Sequence, residues 1–526
     1  MSSTRREILA AVFGLSAISG CRTRPALAGG FAGPSMDVGH QLRDGFSPEP
    51  METREVEIVI AGGGVAGLAA GWCLSRSSAE FVLLELEPHV GGTAAGTEVL
   101  GIPCPTGAHY LVAPPKENVD LVALLDELGI IERFADDGSP VYDEAHLVGS
   151  PEERVFHRGY WHEGLVPLES ATKLDREELR RFELEMSRWI GRRDADGRRA
   201  FDIPVANGSD DAAVRALDEM TASEWLKRNG FGSKLLLRAV EYECLDDFGS
   251  GLDETSAWAM IHYHCARTPA PGAQSAPFLS WPDGNGYLVA GMAAKLGRRI
   301  LGSQLVTSIS PAEDGRRAGV ISHDPVSRRT VRYLAESVIV ALPSFVRRRV
   351  LRGYGLEDPW APSYAPWLVA NIHLSKRPDY RGFPTAWDNV LWDSKSLGYT
   401  VATHQMIEDR GPTVWTYYMT FPGDEARARR DLMSLDFKTT AEGISSDLAR
   451  AHLGLEACVD RMEISRLGHA MPKPKPGTFT SATRRRAATP VGPIHFAHTD
   501  LSGIALFEEA FSHGVRAARE VLERRS

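Results

Sequence analysis

The stretch EIVIAGGGVAGLAAGWCL, Glu57–Leu74, decides the fold. The residues before the glycines, Glu55–Ile60, alternate and end in Ile-Val-Ile, the pattern of a buried parallel strand. Gly62-Gly63-Gly64-Val65-Ala66-Gly67 then matches G-x-G-x-x-G. In that pattern Gly62 permits the tight turn, Gly64 lets the backbone approach a pyrophosphate, and Gly67 lets the helix pack against the strand. Val65 and Ala66 open the helix, whose first N–H groups point at that pyrophosphate. A second strand, FVLLELE, starts at Phe81. It carries Glu85 about 20 residues past the glycines, where a carboxylate binds ribose hydroxyls. Strand, glycine turn, helix, strand and acid together specify a Rossmann-like dinucleotide domain, which the glycines alone would not.

The loop does not choose between NAD and FAD; the following residues do. EPHVGGTAAGTEVLGIPCPTGAHYL, residues 87–111, holds Gly91-Gly92 and then Gly107-Ala108-His109. Here the chain resembles the flavin-containing amine oxidase and phytoene desaturase superfamily, which carries a GG signature after the ribose-binding Glu and a GAH-like segment near the flavin. Thr93 stands where many relatives have a phosphate-contacting arginine, so phosphate binding leans on backbone amides and the helix dipole. WPDGNGYLVAGMAAKLG, residues 281–297, is similar to the family's glycine turn entering a helix. The resemblance implies that the backbone of Val306, in Val306-Thr307-Ser308-Ile309, meets adenine. ESVIVALPSFV, residues 336–346, resembles the strand that returns to the nucleotide domain. IHFAHTDLSGIALFEEAF, residues 494–511, resembles the closing flavin motif. It puts Asp500 at the ribityl-binding position, and a helix from Phe507 and Glu508 whose N-terminus faces the flavin N1–C2=O edge. An NAD dehydrogenase has no need of this C-terminal return. The resemblance therefore implies FAD, in an α/β fold with a Rossmann-like FAD-binding domain and a discontinuous α+β substrate domain. No cysteine follows Cys458, so the FAD is expected to be noncovalent.

The chemistry is less plain. In many relatives that oxidise amines, a sheet lysine bonds a water beside the flavin. Laying ANIHLSKRPDY on that strand puts Ala370 at the lysine position, with Lys376 at the strand end. The closing segment LSGIAL, residues 501–506, holds no aromatic ring to flank a substrate, and His498 replaces a usual glycine. His109 and His373 are the candidate catalytic groups, and His404 lies on another expected strand. Trp387, Trp392, Tyr417 and Tyr418 are candidate cavity walls. His262 and His264, in HYHC, would share one face of a strand, but no second ligand pair exists and no metal is expected.

Net charge −10 and a pI near 5.9 argue against a general nucleic-acid binder. The arginine runs Arg347–Arg349 and Arg484–Arg486 are local. Six cysteines without a C-x-x-C pair form no disulfide framework. The first residues, MSSTRREILAAVFGLSAISGC, resemble a twin-arginine export signal. They offer two processing sites: a lipobox-like ISGC, which would put a lipid anchor on Cys21, and ALA at Ala26–Ala28. The expected layout is an export signal at 1–28, a linker at 29–53, FAD-binding segments at 54–115, 270–345 and 480–526, and a substrate domain at 116–269 and 346–479. The chain thus reads as a periplasmic or lipid-anchored oxidoreductase, or a cytoplasmic one if the leader is not processed. It would take a hydride equivalent from a small-molecule substrate, an amine or amino acid first and a lipid or isoprenoid second, and pass electrons to O₂ or another acceptor. A flavin-binding partner protein without turnover is the alternative of a different class.

Overall fold

Ile58, Val59, Ile60 and Ala61 are all buried, as a strand covered on both faces requires. In this computed structural model, which describes residues 27–353, 360–406 and 410–525, they close the strand Glu52–Ala61. The core of the expected leader, Cys21 included, lies outside the described residues. The strand sits in a seven-stranded sheet with Ile300–Leu301, Phe81–Leu84, Thr330–Val340, Ala318–His323, Leu305–Pro311 and Ile494–Phe496. Glu52–Ala61 pairs in parallel with Phe81–Leu84 on one side and Thr330–Val340 on the other. Ile494–Phe496 adds in parallel beside Val338–Val340, bringing the C-terminal segment back to the nucleotide sheet. The helix Val65–Leu74 packs against the C-terminal helix Phe507–Arg525, where a Cβ on Gly514 would meet the Ala66 carbonyl oxygen at 2.2 Å.

A second sheet has eight strands. Its order is Ala28–Ala32, Val459–Pro472, Tyr364–Leu374, Thr413–Thr420, Gly398–Val401, Asp388–Leu391, Glu153–His157 and Tyr160–Glu163. Every residue of Tyr364–Leu374 and Thr413–Thr420 is buried, because both faces of these central strands are covered. Leu368, Ala370, Ile372 and Tyr417 pack on one face with Leu432, Ile444 and Leu448 of the helices Glu425–Met433 and Phe437–Ala449. Trp367, Val369, Tyr418, Val390 and Val155 pack on the other, against Ala239 and Tyr242 of the helix Lys234–Phe248. This second face is turned toward the nucleotide domain: Asn371 Nδ2 donates to the Pro105 carbonyl over 3.0 Å and the Tyr418 hydroxyl to that of Gly107 over 2.9 Å.

Two expectations change. Residues 29–53 are not a plain linker. Ala28–Ala32 adds in parallel to Val459–Pro472 at the edge of the second sheet, and the helix Met36–Arg43 follows. Gly29 is required there, since a Cβ on it would fall 1.8 Å from the Met462 carbonyl oxygen. The Ser35 N–H and hydroxyl each donate to Glu87 over 2.7 Å, and Phe46 packs edge-on against His323. The segment therefore runs as a strap from the second sheet to the nucleotide domain. Residues 119–265 contribute, besides helices, the strands Glu153–His157 and Tyr160–Glu163 to the second sheet. His262 and His264 sit on a helix, Ala257–Ala266, not a strand. His262 Nε2 lies 3.2 Å from the Asp202 carbonyl oxygen and His264 Nε2 is 3.1 Å from Glu243.

Candidate active site

Gly62 turns with φ of 103°, a conformation open to glycine. A Cβ on Gly67 would meet the Gly62 carbonyl oxygen at 1.9 Å, so strand and helix are in backbone contact. A Cβ on Gly64, by contrast, would meet nothing within 4 Å. The chain thus leaves space in front of the N-terminus of the Val65 helix, where the first N–H groups have no intrahelical partner. The Gly91 N–H donates to the Gly63 carbonyl over 2.8 Å, which lays Gly92 and Thr93 against Gly64. The Ala108 N–H donates to the Thr93 carbonyl over 2.9 Å, so the GAH segment joins the same wall.

Glu85 is tied into the loop. Its Oε2 accepts from the Gly63 N–H over 2.6 Å and its Oε1 from the Glu87 N–H over 2.9 Å. Burial raises its pKa against those bonds. Gln304 N donates to the Glu85 carbonyl, which sets Val306 close by on Leu305–Pro311. Asp500 is 1% exposed, in the turn Thr499–Leu501. Its Oδ2 accepts from the Ser344 N–H over 2.7 Å and the Tyr364 hydroxyl over 2.5 Å. Burial opposes its charge, yet His498, the Ser344 N–H and Tyr364 together hold the carboxyl down to about 2. Asp500 Oδ1 accepts no hydrogen bond. His498 Nδ1, 3.2 Å away, is itself the acceptor for the Asp500 N–H. An ionised, buried oxygen without a donor is costly alone, and a ligand hydroxyl would satisfy it. The space before Gly64 and the open oxygen on Asp500 fit a dinucleotide with a hydroxylated chain, as FAD has.

Beyond Ala108 the wall becomes aromatic. The His109 ring lies 5.0 Å from Tyr418, 5.1 Å from Tyr110 and 5.4 Å from Trp387, centroid to centroid. Phe278 lies 5.0 Å from Tyr110 and 5.9 Å from Trp387. Burial pushes the His109 pKa down to about 4, so the ring is neutral near pH 7. Gly92, Thr93 and Ala108 remain exposed in this wall. Phe507 and Glu508 start the C-terminal helix; Glu508 is 6% exposed, and burial raises its carboxyl to about 7.

Other expected residues go elsewhere. His373 is 3.1 Å from Asp460 at the end of its strand, apart from the His109 ring group. Ala370 faces the helices of the outer layer, so it does not hold a position over the nucleotide domain; Trp367, Val369 and Asn371 face that way instead. Lys376 is exposed beyond the strand end. Lys473, buried just past the strand Val459–Pro472, is tied to Glu254 and the Gly423 carbonyl. Of the four aromatic candidates, Trp387 and Tyr418 join His109, while Trp392 lies by Arg238 and Tyr417 turns outward to Asp447. His404 is tied to the Gly149 carbonyl.

Sequence reasoning missed Tyr364 and a group of acids. Asp246 on the helix Lys234–Phe248, Asp388 on Asp388–Leu391 and Glu153 on Glu153–His157 gather beside Tyr242 and Tyr418. Asp388 and Glu153 are register partners on adjacent parallel strands. These acids come from three distant segments, and only the pairing of strands 388–391 and 153–157 brings them together.

Comparison with known proteins fits this geometry. Residues 65–522 match the family described as flavin containing amine oxidoreductase. The chain belongs to that family, and is an FAD-dependent oxidoreductase. The Mycobacterium tuberculosis protein named "Putative flavin-containing monoamine oxidase AofH" is 27% identical over 493 residues, covering 89% of this chain and 96% of that one. Polyamine oxidase 2 of Arabidopsis thaliana is 32% identical over 96 residues, 18% of this chain and 19% of that one. The fold is shared with a putrescine oxidase (TM-score 0.62, 18% identity) and the cyclohexylamine oxidase of Brevibacterium oxydans (TM-score 0.60, 17% identity). Each covers 90% of this chain and 100% of its own.

Proposed function

We propose that the protein oxidises an amine, with noncovalent FAD held by Gly62, Gly64, Val65, Ala66, Gly67, Glu85, Gly91, Gly92, Thr93, Val306, Asp500 and the Phe507–Glu508 helix start. FAD supplies the two-electron acceptor. The protein's own part is to receive the amine, keep water out and hold its groups in fixed protonation states. The observation that carries the reading is the aromatic group past Ala108, His109 with Tyr110, Trp387 and Tyr418, and the acids Asp246 and Asp388 near Tyr418. Rings favour a cation at their faces, and carboxyls compensate its charge. A lipid or isoprenoid tail gains nothing from carboxyls, whose burial against hydrocarbon is costly. Neutral His109 is placed to accept a hydrogen bond, not to repel the substrate's ammonium.

The reading is tested by incubating the FAD-loaded protein with amines in air and measuring oxygen uptake with release of carbonyl product. Oxygen uptake with carbonyl release from an amine supports it; turnover of an isoprenoid but no amine would sink it. We further propose export, supported by Arg5-Arg6 ahead of the apolar run Ile8–Ile18. Cytoplasmic retention with an intact N-terminus would refute that. Supporting lipidation would need a mass increase on Cys21.

A further inference from the structure

The helix Ser344–Val350, which follows the strand Thr330–Val340, carries three arginines in a row. Arg347 is buried and donates to the Ala487 carbonyl over 3.4 Å. Arg348 and Arg349 are exposed, and both line a cavity of about 770 Å³. Its other walls come from distant segments: Tyr364 at the start of its strand, Glu425 and Arg429 of the helix Glu425–Met433, and His469 of the strand Val459–Pro472. None of the glycine-loop residues is among them, and the Tyr364 hydroxyl is already committed to Asp500. The cavity is therefore separate from the dinucleotide cradle. The carboxylate in these walls, Glu425, is bonded to Arg429, whose Nε also donates to the Gly468 carbonyl over 3.1 Å. Asp44, within the field of Arg349, is held by Arg43 over 2.9 Å. Arg348 and Arg349 themselves have neither a salt bridge nor a hydrogen bond among the described residues. Two guanidinium charges are left unmet at the cavity.

A second observation gives the cavity an aromatic side. The Phe345 and His469 rings stack at 4.1 Å between centroids, and Tyr364 meets them edge-on at 5.4 and 5.6 Å. Burial first, then Arg429 and His40, push the His469 imidazole down to about 4 against the pull of Asp500, so near pH 7 it is a neutral ring that needs no counterion. The surplus positive charge disfavours an ammonium or a metal cation. Guanidinium forks match the oxygens of a phosphate and stay charged throughout the physiological pH range. The volume lies within the range of organic ligand sites, about 300–1,000 Å³, and is larger than a bare phosphate ion needs. We propose that this cavity is a second ligand site, which binds an organic phosphate: the phosphate on Arg348 and Arg349, and the organic body against Phe345, His469 and Tyr364. A soluble phosphate ester and an acidic phospholipid headgroup present this same chemistry. The site is independent of the amine reading and takes no part in electron transfer.

The test is calorimetric titration of the FAD-loaded protein with phenyl phosphate and with phenol in low-salt, phosphate-free buffer, beside co-sedimentation with vesicles of phosphatidylglycerol or of phosphatidylcholine. Phenyl phosphate is expected to bind with a Kd below about 1 mM, and phenol at least about tenfold more weakly. The double variant Arg348→Gln/Arg349→Gln should weaken phenyl phosphate by about tenfold or more, the scale of one charge-assisted contact. Arg316→Gln/Arg328→Gln removes two exposed charges from elsewhere on the surface and should leave binding unchanged. Retained flavin absorbance shows that both variants are folded. Phenyl phosphate binding without sedimentation supports the site as one for a soluble ester. Sedimentation with phosphatidylglycerol alone, lost in the Arg348/Arg349 variant, supports it as one for a lipid headgroup. No binding of either probe, binding that survives in the Arg348/Arg349 variant, or an equal loss in the Arg316/Arg328 variant would overturn the proposal.

Discussion

The Tyr364 hydroxyl donates to Asp500 Oδ2 over 2.5 Å, and so joins the first residue of a substrate-sheet strand to the turn expected to hold the ribityl chain. Asp500 Oδ1 stays buried and without a hydrogen-bond donor. Tyr364→Phe removes one of two donors to Oδ2 and is expected to weaken FAD binding by about tenfold, the scale of one charge-assisted bond. Asp500→Asn removes the charge and should cost more. Fluorescence of released flavin on dilution measures both; unchanged retention in both would remove Asp500 from the cofactor site.

The glycines of the loop separate stability from binding. A Cβ at position 67 collides with the Gly62 carbonyl, a backbone atom that cannot turn aside. Gly67→Ala is therefore expected to destabilise the apoprotein by about 2 kcal/mol or more, as overpacking does. Position 64 has free space, so Gly64→Val should leave apoprotein Tm nearly unchanged while FAD affinity falls. Thermal unfolding with and without added FAD checks the pair. A wild-type rise in Tm on adding FAD to Gly64→Val would mean that the space before Gly64 has no role in binding.

The strap of residues 28–46 bridges the second sheet and Glu87, just past the strand Phe81–Leu84. Ser35→Ala removes one of its two bonds to Glu87, and Gly29→Val would drive a side chain into the Met462 carbonyl. Faster FAD loss is expected in both, with Gly29→Val the larger effect, and with greater proteolytic sensitivity near residues 28–46. Wild-type FAD release in both would confine the strap to a structural part at the sheet edge.

Asp246 makes a pH signature. Burial, then repulsion from Asp247, Glu153 and Glu243 against attraction to Arg267, raises its pKa to about 7, and its charge in turn raises that of Asp388. The unfolded chain releases this proton near 3.8 and the folded chain near 7. Between those values the folded state holds more protons, so stability falls as pH rises through the window and levels off above it. Asp246→Asn lacks that loss. Its stability relative to wild type should grow from about pH 4 to about pH 7 and then stay flat, by about 1–3 kcal/mol in all. A denaturant series at several pH values measures it, and a pH-independent difference would contradict the arrangement of charges.

The nucleotide half was legible because its signals are local. Gly62–Gly67 and Gly91-Gly92 are short backbone motifs whose geometry needs glycine, and Asp500 stands in a contiguous closing segment. The substrate half was not. Ala370 was assigned by strand alignment, and a one-residue change of register turns a side chain to the opposite face; the structure puts Ala370 among the outer helices. Asp388, Glu153 and Asp246 meet only because a parallel strand pair and a helix from separate parts of the chain converge, and no spacing in the sequence announces that. Residues 29–53 read as a linker from their Gly and Pro content, yet a parallel edge pairing with Val459–Pro472 gives them structure. Tertiary pairing overrode composition there.

The most direct test of the central claim is an anaerobic titration of the FAD-loaded protein with amines, watching the visible flavin band. Oxidation of an amine by this protein predicts loss of that band to the reduced spectrum, stoichiometric with amine and restored on admitting oxygen or another acceptor. A flavin band that no amine bleaches, in protein that still holds FAD and can be reduced chemically, would contradict it.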